Sequence, residues 1–259
     1  MAKTLKRIDA GAIQIAALYN RRSSRDTLPQ RAAKQKASSE AQRRMNQIYS
    51  YQKLELMLAM NFPTPGSGLV GTLTFDDDHM PGSRAEAQRR FKHFLKKLRT
   101  ARIMGGLREP VVFWAPEILT SESRRWHFHI VIDNTGNDYD MIRSCWIYGS
   151  DVDLSKLRVD EEKNHETQAK YMTKELRECQ EYEAKPGLHG WSCTRNALKP
   201  EIETVTVPDD YELDPPEGSQ VLLDEKKVTE FSSYRVLKYR WGGASFSRPP
   251  RARRRRRKR

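Results

Sequence analysis

Cysteine is scarce in this chain of 259 residues: Cys145, Cys179 and Cys193 stand alone, with no CxxC spacing. An odd, scattered set of three excludes a disulfide framework and a classical zinc finger, and reads as reduced thiols. Long apolar runs are equally missing, and the mean hydropathy of −0.82 leaves no candidate membrane span. The N-terminus does not read as a signal peptide, because the apolar stretch from Ala10 to Leu18 is broken by Gly11 and Gln14. A cytoplasmic location is therefore expected. No internal repeat is visible.

Positive charge is what the chain has in excess, with a formal net charge of +13. Its distribution is uneven. Residues 1–50 hold 11 Lys/Arg against 3 Asp/Glu, for a net +8, and the stretch from Arg248 holds nine basic residues and no acid. The span 51–247 is left at −4. This pattern predicts a mildly acidic folded core with basic ends that grip phosphates without sequence preference. Solubilising tails are the competing reading, but nine cations within twelve residues exceed what solubility needs.

Hydrophobic periodicity supplies the organisation. A helix is expected from about Ser38 to Asn61, ended by Phe62-Pro63. The β-branched alternation of Leu69 to Phe75 predicts a strand with Leu73 and Phe75 on one face and Thr72 and Thr74 on the other. Ser83-Arg84-Ala85-Glu86 has the form of a capping box. The helix it opens buries Phe91, Phe94, Leu95 and Leu98 and shows Arg89, Arg90, Lys92, Lys96, Lys97 and Arg99 to solvent or to DNA. Strands follow over Val111 to Ile118 and Trp126 to Asp133, then helices near Tyr139 to Tyr148 and from about His165 to Tyr182. Residues 201–230 hold ten acids and read as a peripheral extension or linker. Strands mixed with helices, without regular βαβ alternation, predict an α+β fold with an antiparallel sheet.

Chemistry concentrates in two segments. In Trp126-His127-Phe128-His129-Ile130-Val131-Ile132, strand alternation puts His127 and His129 on one face and Phe128, Ile130 and Ile132 on the other. A hairpin centred on Glu122 would set Glu117 opposite His127, giving two imidazoles and a carboxylate on neighbouring strands. Pro116 complicates this, since proline fits only an edge strand or a bulge. Such a mixed N/O set tolerates Mg²⁺, Mn²⁺ or Zn²⁺ and also suits non-haem iron, so the ligands alone leave the reaction open. The second segment is Thr167 to Glu175. On a helix Tyr171 and Lys174 share a face, with Glu175 beside them. A tyrosine hydroxyl needs a nearby cation and a metal-polarised target to act as a nucleophile. Taken alone, Tyr171 equally suits half-buried packing. His79, His93, His165 and His189 read as surface or capping residues. Trp114, Trp146 and Trp191 are candidates for stacking on unpaired bases, with core packing favoured for at least two of them.

The succession Gly71-Thr-Leu-Thr-Phe75, His127-Phe-His129 with Ile-Val-Ile, and Tyr171-Met-Thr-Lys174 resembles the three motifs of HUH endonucleases, and most closely the rolling-circle replication initiators of plasmids and small single-stranded DNA phages and prophages. The resemblance spans roughly residues 60–200. It implies a five-stranded antiparallel sheet backed by helices, with a divalent metal ion (Mg²⁺ or Mn²⁺) on the sheet face at His127, His129 and Glu117. It implies that Tyr171 attacks a phosphodiester of a single-stranded or extruded origin, leaving a 5′-phosphotyrosine and a 3′-OH primer, while Lys174 positions or neutralises charge. The chain then divides into a basic N-terminal arm and helix (1–60), a nicking domain (61–200), an acidic extension (201–247) and a poly-arginine tail (248–259), acting in a bacterial cytoplasm.

Two departures shape this expectation. Phage initiators with two tyrosines place them a helical turn apart, whereas Thr167 and Glu175 flank Tyr171 at that spacing. Glu175 activating water, or the tyrosine of a second subunit, would then close a round of replication. No GxxxxGK[ST] occurs, so a host helicase and polymerase are expected partners. Within the same class a relaxase or transposase is an alternative, although relaxases place the tyrosine before the histidines. From a different class, a non-catalytic nucleic-acid-binding protein with basic arms and a structural histidine pair competes. Deleting residues 248–259 should weaken DNA binding and flatten its dependence on salt, as measured by titrations at several ionic strengths; an unchanged salt slope would refute the phosphate-gripping tail.

Overall fold

The computed structural model describes residues 2–20, 40–118, 125–159, 164–174, 190–228 and 233–241. These fall into two compact units, one formed by Met1–Arg22 with Ile202–Arg259, the other by Ser23–Glu201. Both are built on five-stranded antiparallel sheets, and the described residues carry four helices.

The first unit joins the two ends of the chain. Strands β1 (Lys3–Ala10) and β2 (Ile13–Asn20) form a hairpin. Its turn uses Gly11 at φ 73°, whose amide donates to Asp9 Oδ1 at 2.9 Å. The other strands of this unit are β8 (Glu201–Val207), β9 (Ser219–Val228) and β10 (Ser233–Trp241), in the sheet order β8-β1-β2-β10-β9. Leu5, Ala16, Leu18, Leu213, Leu237 and Tyr239 form its core. The region expected as a basic arm thus begins with two paired strands, and the region expected as an acidic extension supplies three more. Its charge was misleading because acids and bases alternate with apolar residues across paired strands. Arg235 makes two hydrogen bonds to Asp224 of the adjacent strand, at 3.0 and 2.8 Å, so acidic β9 is answered by basic β10. The poly-arginine tail lies outside the described residues.

The second unit bears the candidate site. Its strands are β3 (Gly68–Thr74), β4 (Val112–Ile118), β5 (Trp126–Asp133), β6 (Val152–Lys156) and β7 (Ser192–Cys193), in the order β6-β3-β5-β4-β7. The helices are α1 (Glu40–Asn61), α2 (Arg84–Met104), α3 (Asp138–Cys145) and α4 (Glu166–Met172). The expected five-stranded antiparallel sheet with packed helices is present. On one sheet face Leu69, Leu73, Phe128, Ile130 and Ile132 pack against Phe91, Phe94 and Leu98 of α2 and Ile142 of α3. On the other, Phe113, Ala115 and Val131 pack against Leu54, Met57 and Leu58 of α1 and Ala169 and Met172 of α4. Gly71 is required by close approach: a Cβ there would lie 2.2 Å from the Asp153 carbonyl oxygen and 2.6 Å from Leu154.

Local signals set the element ends. Ser83 Oγ accepts the Glu86 amide at 3.3 Å, so the capping box opens α2 as expected, although the Glu86 carboxylate takes the Gly82 amide at 3.0 Å instead of that of Ser83. The helix expected near Tyr139 to Tyr148 stops at Cys145, since Trp146 leaves it with its indole donating to the Thr74 carbonyl at 3.1 Å. The helix expected from His165 to Tyr182 is described only as α4; residues 175–189, including Glu175, Cys179 and His189, lie outside the described residues.

A buried ion cluster pins α2 to the end of β5. Arg102, fully buried, meets Asp133 Oδ1 at 2.8 Å, the Asp133 carbonyl at 2.6 Å and Asp138 Oδ1 at 2.7 Å. Val111 N and Arg108 Nε complete Asp133, at 2.8 and 2.9 Å. Removing one partner of a buried pair leaves uncompensated charge. Arg102→Met should therefore cost about 3–5 kcal/mol, read from urea or thermal denaturation; a loss below about 1 kcal/mol would show that the cluster does not hold the unit together.

Candidate metal centre and tyrosine site

The three expected ligands sit on the α1/α4 face of the sheet, on its two middle strands. The register pairs Glu117 with His127, Ala115 with His129 and Thr72 with His129. It is the register expected from a hairpin centred on Glu122, although residues 119–124 lie outside the described ones. Pro116 is accommodated by the ladder itself. Asp133 N donates to the Val111 carbonyl and Thr194 N to the Val112 carbonyl, so successive β4 residues direct their backbone groups alternately to β5 and to β7. The nitrogen of Pro116 faces the β7 side, and β7 reaches only Phe113 and Trp114. The proline therefore stands on a free edge, where no ladder bond is lost.

The three ligand atoms converge. His127 Nε2 and His129 Nε2 are 3.2 Å apart, and Glu117 Oε2 lies 2.5 Å from His129 Nε2 and 3.5 Å from His127 Nε2. All three side chains are buried. The outer ring nitrogens are also engaged: His127 Nδ1 lies 3.4 Å from the Arg125 carbonyl, and His129 Nδ1 lies 3.3 Å from Thr72 Oγ1. A carbonyl can only accept, so His127 carries its proton on Nδ1 and turns the Nε2 lone pair inward; Nδ1–H donation from His129 to Thr72 does the same there. Two inward lone pairs and a carboxylate oxygen repel one another until a cation lies between them. This donor set fits a divalent metal ion, with ligand atoms within 4.8 Å of one another.

The protonation states agree with that fit. Burial pushes the Glu117 carboxyl toward neutrality, but hydrogen bonds from His127, His129 and Lys174 outweigh it and hold the group well below the usual carboxylate range. Burial depresses the His129 imidazole below its ordinary value, partly opposed by Glu117 and assisted by the charges of His127 and Lys174. A neutral imidazole and an ionised carboxylate are the forms that bind metal.

Tyr171 stands beside this cluster. Ala169 and Met172 anchor α4 in the second core, and Thr173 Oγ1 donates to the Ala169 carbonyl at 2.8 Å. The Tyr171 ring packs edge-on against His129, with centroids 4.7 Å apart, yet the residue is 45 % exposed. Lys174 lies just past the helix, its amide donating to the Tyr171 carbonyl at 3.1 Å. Lys174 Nζ is 4.5 Å from the Tyr171 ring centroid and 3.0 Å from Glu117 Oε1. The shared face expected of a helix thus comes from a turn. Among the other histidines, His79 and His93 bond Asp76 and Tyr148 near the surface. His165 was expected at the surface or as a cap; it is buried, and its Nε2 donates to the Phe62 carbonyl at 2.9 Å, tying α4 to the end of α1. Thr72 and the Arg125 carbonyl were missed as orienting groups, because only the pairing of β3 with β5 brings Thr72 to His129.

An α+β unit whose sheet carries a two-histidine, one-carboxylate cluster beside a tyrosine is compatible with an HUH-endonuclease-like fold. Residues 68–176, from the first residue of β3 to just past Lys174, match the family model described as Replication-associated protein ORF2. The match is consistent with a rolling-circle replication protein family and covers every ligand and the tyrosine. No curated protein and no solved structure matches the chain. No helix among the described residues is long and apolar enough to cross a membrane.

His129→Ala should abolish tight Mn²⁺ binding, and Thr72→Val should weaken it by roughly tenfold or more, the usual effect of losing a group that orients a ligand. Calorimetric titration of both variants checks this; wild-type affinity in Thr72→Val would show that the hydroxyl does not orient His129.

Proposed function

We propose that this protein initiates rolling-circle DNA replication by nicking a single-stranded or extruded origin through Tyr171. The observation that carries the proposal is the convergence of Tyr171 and Lys174 on the buried His127–His129–Glu117 cluster. When bound at these three residues, a divalent ion such as Mg²⁺ or Mn²⁺ supplies Lewis-acid polarisation of the scissile phosphate. The Tyr171 oxygen attacks phosphorus and the P–O3′ bond breaks. The products are a 5′-phosphotyrosine and a 3′ oxygen that takes up a proton to become the primer hydroxyl. Lys174 sets a positive charge against the ring on which phenolate charge develops, and also holds Glu117 in its ionised form. Half-exposure of Tyr171 leaves it accessible to a DNA strand, whereas its neighbours are shielded. With one tyrosine in this segment, we assign Glu175 to activating water in the closing step. The host would contribute helicase and polymerase.

Incubation with Mn²⁺ and a single-stranded origin-like oligonucleotide should yield a denaturant-resistant protein–DNA adduct. Tyr171→Phe should give none, and His129→Ala should bind DNA without cleaving it. An adduct formed by Tyr171→Phe would sink the assignment of the nucleophile, and equal cleavage by His129→Ala would sink the role of the metal cluster.

A further inference from the structure

Next to the candidate centre, α1 carries an arrangement that nicking itself does not use. Lys170, the neighbour of Tyr171, places Nζ 5.5 Å from the ring centroid of Tyr51, on the α4 side of α1. On the β7 side of the same helix, Lys53 Nζ lies 5.9 Å from the ring centroid of Trp191. The Trp191 indole donates to the carbonyl and the hydroxyl of Ser50, at 3.3 and 3.2 Å, and Phe113 lies 6.3 Å behind it, so the ring is a fixed plate. Tyr49 is 59 % exposed and shares a helix face with Lys53, four residues on. Lys199 adds positive charge near Lys53, since both act on Cys193. The nearby carboxylates offset little of this: Glu55 is buried, and Glu166 is paired with Lys170 at 2.6 Å.

We propose that this strip is a track for single-stranded DNA, running from Tyr171 over Lys170 and Tyr51, across α1 at Tyr49 and Lys53, to Trp191. Lysines interleaved with partly exposed aromatic rings match a chain in which phosphates alternate with bases. Each lysine can transfer from ring to phosphate, which frees the ring face for a base. A duplex keeps its base faces stacked inside and cannot use the rings, so the track selects single strands without reading their sequence. The end point at Tyr171 rests on the nicking reading; the binding surface does not.

The test measures anisotropy of labelled oligonucleotides with full-length protein in EDTA, so that cleavage does not intervene. Tyr49→Ala combined with Lys53→Glu should weaken binding of a single strand of about 16 nucleotides by roughly tenfold or more. Lys53→Gln alone should lower the salt slope. Both side chains are exposed, so an unchanged thermal melt verifies folding. Unaltered single-strand affinity would overturn the track, as would an equal loss of affinity for a blunt duplex. The outcomes separate cleanly from those of the nicking proposal. An adduct-negative wild type whose single-strand binding depends on Tyr49 and Lys53 removes the nicking reading and keeps the track. An adduct-forming wild type whose binding ignores them does the reverse.

Discussion

The candidate site depends on a central strand that is buried on both faces. Every residue of β5 from Trp126 to Asp133 is buried, with Phe128, Ile130 and Ile132 turned to α2 and α3, and His127, His129 and Val131 turned to α1 and α4. A slip of one residue would bury the histidines among phenylalanines and turn Phe128 to the site face, so the register has no close competitor. Both ends of the strand are held. Phe75 N donates to the Trp126 carbonyl at 3.0 Å, and Asp133 is held by Arg102, Arg108 and the Val111 amide. Buried imidazoles are costly without partners. Here each makes hydrogen-bonding contacts at both ring nitrogens, so the polar part of the site sits in a hydrophobic sheet without orphaned groups.

Glu117 is the electrostatic junction of the arrangement. One carboxylate oxygen faces the two histidines and the other meets Lys174, so a single buried anion connects strands β4 and β5 with the turn that follows α4. That connection makes the metal cluster and the tyrosine-bearing helix parts of one assembly. His165 reinforces it from the opposite end of α4 by bonding the Phe62 carbonyl after α1. Rigid ligands beside a half-exposed phenol suit a reaction in which the centre is preorganised and the substrate arrives from solvent.

Much of the site was legible because its determinants are local. Alternation alone sets His127 and His129 on one face, and the short connection between β4 and β5 limits which residue can oppose His127, so Glu117 followed from counting. Pro116 looked like an obstacle until β7 proved too short to pair with it. Thr72 was quoted for its face but not for its partner, because β3 and β5 are separated by α2 and β4. The terminal sheet was the largest omission. Its strands come from opposite ends of the chain, and their alternating charges read as a basic arm and an acidic linker. Only the pairing of β10 with both β2 and β9 reveals that Arg235 answers Asp224.

Residue order was enough to establish the fold class, the strand that bears the histidines, the face on which they lie and the motif succession that joins them to Tyr171. These follow from period, turn length and position along the chain, all properties of neighbouring residues. Folding was needed to select the hydroxyl that orients His129, to make a proline tolerable beside a ligand, to bond Lys174 to Glu117 while it lies against Tyr171, and to bring the chain ends together. These depend on contacts between segments far apart in sequence, whose formation is settled by burial and hydrogen-bond satisfaction summed over the folded units.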